Sequence, residues 1–419
     1  MVKKTIDVVK DNNICVSCGT CAAVCPKRCI QYNRQGGIYA PTINENECIK
    51  CGICYKMCPS IDFDYLDIYQ KTSLHTPEDL YTGNVIDCYT AYCKDSKMLK
   101  NATSGGVIVT IIKNLLQEKR YDCAFLADSF NFDLQAQANR YDNILEYNDI
   151  CKSKYVFVSQ ERTIKYILEH RDEKIILVGT PCFFHAFQKV VALYSLNRNN
   201  YLMIGLFCDK SLSYNFIEYF EDVIVKESIK KLYFRNKEAG GWPGNIQVVK
   251  DNGEKVTLPA QKRMEVKDYF CPERCLYCMD KLNQFSDISV GDNYTGLNSQ
   301  KEGSSCIIVR TNKGVDILEN VESLFVLDEI PISVIQESQH ILQKAENHKQ
   351  ALLFSKKTGL KCDILPMKHE SIGIKAHISY FYKIHKTKIG RDYPQTKVKL
   401  QQELKLKHLI AKIKTGVKR

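Results

Sequence analysis

Cys15, Cys18, Cys21 and Cys25-Pro26 follow the spacing C-x2-C-x2-C-x3-C-P, and Cys48, Cys51, Cys54 and Cys58-Pro59 repeat it thirty-three residues later. Three thiolates two residues apart wrap a tight loop around one four-iron cubane. The fourth, three residues on and followed by proline, points away and reaches the other cluster. The spacing therefore assigns one [4Fe–4S] cluster to Cys15, Cys18, Cys21 and Cys58, and a second to Cys48, Cys51, Cys54 and Cys25. Gly19 and Gly52 stand at equivalent places, where the backbone must pass close to a cluster. Structural zinc is the competing use of so many thiols. It prefers C-x2-C pairs with a longer gap between them and needs no doubled C-P ending. Cys29 falls outside the pattern and reads as a small buried residue.

This module, residues 1–65, resembles a bacterial two-cluster ferredoxin. The whole chain has twenty cysteines in 419 residues. No apolar run approaches the ~20 residues of a membrane-spanning helix, and the opening Met-Val-Lys-Lys-Thr-Ile-Asp has no apolar stretch to serve as a secretory signal. The expected setting is the reducing cytoplasm, where disulfides are rare and cysteines in such number mean metal.

The stretch from Tyr65 to Leu80, with Thr76-Pro77-Glu78, reads as an irregular connector. Strand and helix patterns then alternate. Asp87–Lys94 and Tyr121–Ala127 read as strands on either side of a helix that starts near Val107. Further strands are KIILVG (174–179), YLMIGLF (201–207) and 307–310, with a helix over 183–193. Asp251-Asn252-Gly253 marks a hairpin. The expected fold class is α/β (α+β overall): the small ferredoxin-like domain, a mixed, largely parallel-sheet α/β domain, and a helical basic C-terminal tail. The expected divisions are 1–65, 81–165, 166–312 and 313–419.

A second set of thiols gathers at strand ends. Gly179-Thr180-Pro181-Cys182 follows KIILVG directly, and Cys208 closes YLMIGLF. If these strands are parallel neighbours, both thiols emerge at the carboxyl edge of the sheet, where open α/β sheets place ligands. Cys271, Cys275 and Cys278 add soft ligands for a third cluster. The chosen set is Cys182, Cys208, Cys275 and Cys278, with Cys271 as the alternative fourth. Core thiols plus a separate zinc site are the plainer reading. The spacing C-x3-C-x2-C also matches radical S-adenosylmethionine enzymes, but too little chain follows Cys278 for the barrel that motif opens.

In order along the chain come Thr103-Ser104-Gly105-Gly106-Val107, Ser153-Lys154-Tyr155, Gly179-Thr180-Pro181-Cys182, Phe234-Arg235-Asn236-Lys237, Gly241-Trp242, the cysteine trio, Ser286–Asp292 and Gly303-Ser304-Ser305. This order resembles the coenzyme F420 hydrogenase/dehydrogenase beta-subunit family from roughly Ile14 to Arg310. The resemblance implies a flavin-dependent iron–sulfur oxidoreductase that passes electrons between ferredoxin-type clusters and FAD, and by hydride transfer to a substrate. Relatives use the deazaflavin F420 or a chlorophyll derivative, and whether this chain uses F420 stays open. The flavin site implied is Thr103, Ser104, Gly105 and Gly106, whose glycines and following helix N-terminus suit a phosphate, with Ser153, Lys154, Tyr155 and Thr180 as further contacts. Lys154 and Arg235 equally suit solvated surface charges. Two departures fall in the substrate half: no tryptophan closely follows Gly291-Asp292, and Cys306 stands where a small aliphatic residue is expected. His185 is unassigned.

The formal charge of +11 lies in the tail, where thirteen basic residues from Lys375 to Arg419 face only Asp392 and Glu403. An excess confined to a tail argues against a nucleic-acid enzyme. Val398, Leu400, Leu404, Leu406, Leu409, Ile410 and Ile413 interleave with lysines. They fit a basic amphipathic helix on an anionic membrane surface or an acidic partner, or a solvated arm. The functional expectation is a reductase fed by ferredoxin or another redox protein and acting on a small molecule. The alternative is an electron-carrier subunit with no flavin or substrate of its own.

Overall fold

The computed structural model describes residues 4–72, 76–128, 135–144, 149–365 and 372–416. In the N-terminal module Gly19 and Gly52 both take left-handed backbone, with φ 80° and 74°, and each starts a one-turn helix, Thr20–Ala23 and Ile53–Lys56. A Cβ at Gly19 would lie 2.6 Å from Ser159 Oγ, so glycine serves both the turn and the seat of the module on the rest of the protein. An antiparallel hairpin, β1 (Ile30–Gln35) and β2 (Ile38–Ile43), spaces the two motifs. After β3 (Phe63–Asp64) the expected connector begins instead with a helix, Tyr65–Lys71. Asp64 accepts from the N–H groups of Leu66 and Asp67, and Tyr65, Ile68 and Tyr69 are buried. Residues 73–75 of that stretch lie outside the described residues.

The main body uses β4 (Asp87–Cys93), β5 (Cys123–Ala127), β6 (Ala138–Tyr141), β7 (Ile175–Gly179) and β8 (Tyr201–Leu206). Next come β9 (Ile229–Asn236), β10 (Asn245–Lys250) and β11 (Lys255–Leu258), a separate three-stranded antiparallel sheet turned at Asp251-Asn252-Gly253. β12 (Ile288–Asp292), β13 (Ser305–Val309) and β14 (Phe325–Glu329) complete an eight-stranded sheet in the order β14-β4-β13-β12-β8-β7-β5-β6. Its heart, β12-β8-β7-β5, is parallel, and antiparallel strands flank it on both sides. The two-residue β15 (Asp363–Ile364) pairs with β3 and ties the tail to the N-terminal module.

The apolar runs of β7 and β8 are buried on both faces, as a parallel strand between helices requires. Ile176, Leu202 and Ile204 meet Ile111, Ile112 and Leu115 of the helix Val107–Gln117. Ile175, Leu177 and Tyr201 meet Phe184 and Phe187 of the helix Pro181–Tyr194 on the other side. Glycine 179 pairs with Gly205 across these strands, so Cys182 and Cys208 do leave the same edge of the sheet.

The tail divides. In the helix Lys397–Gly416, Leu400 and Leu404 are buried in the core that holds Tyr269 and Phe270, whereas Leu406, Leu409, Ile410 and Ile413 are exposed. Lys418 and Arg419 lie outside the described residues. Among the described residues no helix is long and apolar enough to cross a membrane.

Four thiols outside the cysteine motifs sit in the sheet. Burial pushes Cys88 and Cys306 up to about 12, and Cys93 and Cys123 to about 11, from an ordinary 9.0. A thiol raised in the folded state stabilises it fully below about 9, and that contribution is lost as pH climbs from the unfolded value toward the folded one. The urea midpoint is therefore expected to fall between pH 8 and pH 10. Cys306→Ala should lower the midpoint at pH 8 yet flatten that fall; an unchanged slope would refute the assignment.

Candidate functional site: three thiol groups beside a large cavity

The doubled motif folds twice into one local geometry. The N–H of the residue two past the first cysteine of each motif donates to its sulfur, Ser17 to Cys15 Sγ at 3.3 Å and Lys50 to Cys48 Sγ at 3.4 Å; Ser60 does the same to Cys58 Sγ at 3.4 Å. Such N–H···S bonds favour the thiolate that iron requires. Cys15, Cys18, Cys21 and Cys58 lie within electrostatic range of one another, and burial raises the Cys18 thiol to about 12. Cys54 neighbours Cys51 and Cys25, while Cys25 and Cys48 both bear on Cys29. The structure thus brings together the two crossed sets that the spacing assigned. Among the described residues no three His, Cys, Asp or Glu side chains converge as a single-ion site requires.

Cys29 is buried as expected, yet it is no bystander: its sulfur lies 3.5 Å from Cys25 Sγ, and both line a small cavity with Cys48, Cys51 and Cys54. The local turn after Cys25, closed by Arg28 N–H to Cys25 O at 3.1 Å, brings Cys29 back to its neighbour.

The module is fastened to the body at both motifs. Gln160 N–H donates to Cys18 O at 2.8 Å. Lys189, on the helix Pro181–Tyr194, donates to Cys58 O at 2.7 Å and Ile61 O at 2.9 Å. Cys182 lies in the first turn of that helix, so the helix links the strand-end thiols to the group that holds Cys58.

Cys208 has Cys275, Cys182 and Cys278 as electrostatic neighbours, and Cys271 hydrogen-bonds Cys275. All five cysteines named for a third cluster meet. Cys182, Cys208, Cys271 and Cys275 also line the large cavity, while Cys278 turns toward Asp280 O at 3.6 Å. Cys182 in turn bears on Cys18. The thiol groups therefore run in sequence, Cys25/48/51/54, Cys15/18/21/58, Cys182/208/275/278, with the cavity lined by the third group and by Cys18 of the second.

Between the last two groups lies Arg274, which the cysteine spacing hides. It is 3% exposed, pairs with Asp363 and donates to Pro59 O at 3.3 Å. Its Nε and Nη1 have no partner among the described residues, and it bears on Cys58, Cys182, Cys275 and Cys278. A buried guanidinium there sits among thiols of two groups and would offset the negative charge of thiolates ionised on either side.

The cavity encloses about 1640 Å³. Thr103, Ser104, Gly106, Ser153, Lys154, Tyr155 and Thr180 all line it. Ser153 N–H donates to Thr103 Oγ1 at 2.9 Å, which joins two of the predicted segments. Gly105 is the exception. It packs on β4, where a Cβ would lie 2.4 Å from Ala91 O, and it serves close packing instead of facing the cavity. Gly106, at φ 75°, starts the helix Val107–Gln117, and no side chain caps its first turn. Lys237 draws this turn together by donating to Leu99 O, Ser104 O and Glu302 O.

Arg235 is not a surface charge. It is 4% exposed, pairs with Asp292 at 2.5 Å and donates to Pro243 O at 2.7 Å. Burial works against the Asp292 carboxylate, yet Arg235 and the Trp242 indole hold it below the ordinary range. Trp242 Nε1 donates to Asp292 Oδ1 at 3.2 Å and its ring lies 5.3 Å from Tyr294, so an indole does stand beside Gly291-Asp292, supplied from another segment. Cys306 is fully buried beneath Asn293 and packs as the small apolar residue would. His185 donates or accepts with Asp280 at 3.0 Å and stacks on Phe63, a core role.

Models of known families match this geometry in three places: the 4Fe-4S dicluster domain over residues 14–61, and the N-terminal and C-terminal domains of coenzyme F420 hydrogenase/dehydrogenase beta subunits over 88–164 and 172–333. The chain belongs to the coenzyme F420 hydrogenase/dehydrogenase beta-subunit family. It is 26% identical over 340 residues to uncharacterized protein MJ1349 of Methanocaldococcus jannaschii, covering 74% of this chain and 88% of that one. It is 22% identical over 281 residues to the coenzyme F420 hydrogenase subunit beta of Methanosarcina barkeri, covering 65% and 91%. A chain of the F420-reducing [NiFe] hydrogenase complex from Methanosarcina barkeri shares the fold, with TM-score 0.53 at 20% identity over 70% of this chain and 99% of that one. As a member of this family the protein is an iron–sulfur oxidoreductase with an electron-transfer module at its N-terminus.

Proposed function

We propose that this protein relays electrons from a ferredoxin-type donor through three [4Fe–4S] clusters to a flavin in the large cavity, where a small-molecule acceptor is reduced. The observation that carries this reading is the single file of thiol groups ending at that cavity. When bound, the clusters supply one-electron transfer and FAD supplies two-electron hydride chemistry.

The chain's own residues do the rest. Cys15, Cys18, Cys21 and Cys58 hold the middle cluster, and Cys48, Cys51, Cys54 and Cys25 the outer one, where exposed Ile49 and Lys50 leave a face open to a protein donor. Cys182, Cys208, Cys275 and Cys278 hold the third. The uncapped first turn after Gly106 presents N–H groups to a flavin phosphate, with Thr103 and Ser104 adding hydroxyls. Lys154, Tyr155 and Arg263, whose guanidinium lies 4.6 Å from the Tyr155 ring, wall the space where a ring system stacks. Relatives that form multi-subunit hydrogenases support a protein donor or acceptor at the exposed face.

Anaerobic protein reconstituted with iron, sulfide and FAD is expected to hold about twelve irons and one acid-releasable flavin. Twelve irons without flavin would leave the carrier subunit as the function, and zinc in place of iron would end both.

A further inference from the structure

The cavity's far wall is only partly made by the family domains, which end at residue 333 and supply Lys210, Arg263 and Lys267; the rest comes from the chain beyond them. Lys344, from the helix Lys344–Thr358, and Ser379, Tyr382, Lys383 and Lys386, from the helix Ile374–Arg391, line it. This wall is firmly mounted. Tyr380 is buried in one core with Tyr277 and Phe354, against the helix that carries Cys275. Asn215 Nδ2 donates to Gly390 O and Arg391 O, both at 2.9 Å, and Arg391 pairs with Glu273 at 2.6 Å.

Ten basic and five acidic side chains line the cavity, and Lys210, Arg263, Lys267, Lys344, Lys383 and Lys386 meet at this wall together with Asp209, Asp268 and Glu346. Lys210, from the loop after β8, pairs with Asp268 at 3.0 Å, and Lys344 reaches Asp209 at 3.5 Å. Asp209 and Asp268 bear on Lys267, and Glu346 and Asp268 on Lys383, without outweighing burial and Lys210, and Arg263 Nε is buried with no hydrogen-bond partner among the described residues. Lys210, Lys267 and Lys383 come from three separate elements. Burial, and then Lys210, push both Lys267 and Lys383 below the ordinary lysine value. Cations crowded in a half-buried cavity repel one another, and an oxyanion with more than one negative charge relieves the repulsion through charge-assisted hydrogen bonds.

We infer that Arg263, Lys267 and Lys383, with Lys210 beside them, form an anion-binding wall that takes the oxyanion group of a polyanionic small-molecule substrate, and that the C-terminal extension exists in part to build it. The inference rests on the cavity being the reaction site, and it adds the substrate's charge and the end at which it docks. The same chemistry is carried by the flavin's own pyrophosphate. A second use for the lysines is to offset the third cluster, since Lys210 and Lys383 both bear on Cys271.

The test is calorimetric titration of inorganic pyrophosphate into the full-length, anaerobically reconstituted protein, alongside Lys267→Gln/Lys383→Gln and the milder Lys383→Gln, whose side chain is partly exposed. Expected are one saturable site on flavin-loaded protein, binding weakened at least tenfold in the double variant and less in the single, and iron and flavin contents equal to wild type. Absence of saturable binding overturns the inference, as does equal affinity in both variants. Binding that appears only after flavin is stripped assigns the wall to the flavin pyrophosphate and overturns it too. So does a variant that shifts the third cluster's midpoint potential while binding pyrophosphate normally. Because binding is read on iron-loaded protein with or without flavin, failure of the flavin assignment and failure of the anion wall give different results.

Discussion

Replacing Cys275 by serine is expected to remove about a third of the protein's iron, four of about twelve atoms, and to spare the N-terminal pair. Serine keeps the shape of the side chain but not the thiolate, and a hydroxyl does not ionise to serve as a soft ligand at neutral pH. Cys275 is placed for a ligand: it has Cys271 as a hydrogen-bond partner, and it is an electrostatic neighbour of Cys182 and Cys208. Its loss breaks the file of thiol groups at the last position before the cavity. Electron delivery from a reduced protein donor should then fall by more than the roughly 100-fold seen when only an outer-shell partner of a metal ligand is lost. Iron analysis and electron paramagnetic resonance of the dithionite-reduced protein read the result. Cys271 is close enough to stand in, so Cys271→Ser/Cys275→Ser separates substitution of a ligand from misassignment. If the double variant keeps all its iron, or loses it evenly from every cluster, the third site is elsewhere.

The parts of this site that were legible in the sequence are those whose chemistry lies in short spacing. The crossed assignment of eight cysteines follows from two- and three-residue gaps, and the structure groups them the same way. Cys182 and Cys208 were legible because each ends an apolar run, and Gly179 opposite Gly205 puts both at one sheet edge. What escaped depends on partners far apart in the chain. Arg274 acts through Asp363, 89 residues on, and Lys383 reaches the cavity only because Tyr380 and Gly390 find seats near Tyr277 and Tyr269. The helix Tyr65–Lys71 is hard to see for a different reason: its apolar face, Tyr65, Ile68 and Tyr69, spans little more than one turn behind the Asp64 cap. The S-G-G run looks like one unit in the sequence, but its two glycines serve different neighbours: Gly106 turns into the helix and Gly105 answers to β4 behind it.

Arg235→Met is expected to destabilise the protein by about 3–5 kcal/mol, the cost of leaving one member of a buried ion pair alone. The ion pair closes a corner where three segments meet. Arg235, in β9, reaches Asp292 at the end of β12, and its other nitrogens donate to Pro243 O and, at 3.4 Å, to Thr103 O beside the turn at Gly106. Trp242 and Tyr294 also donate to Asp292, but neither brings a positive charge. The pH dependence follows in sign. In the wild type Asp292 lies below its ordinary value of 3.8, so its contribution is present at neutral pH and lost only as pH falls through that lowered value. Without Arg235, burial is the dominant influence and raises the carboxyl, so the same group now destabilises the fold as pH rises above about 4. The variant should therefore be penalised more at pH 7 than at pH 4.5. Arg235→Met/Asp292→Asn removes both charges and should recover most of the loss, because neither partner is then left uncompensated. Urea unfolding of the three proteins at both pH values measures this. A single variant within 1 kcal/mol of wild type would show the pair to be solvated. Recovered stability should not bring recovered flavin retention, since the guanidinium that fixes the Thr103 turn is still absent from the double variant, and that split distinguishes a residue that shapes the cavity from one that merely holds two sheets together.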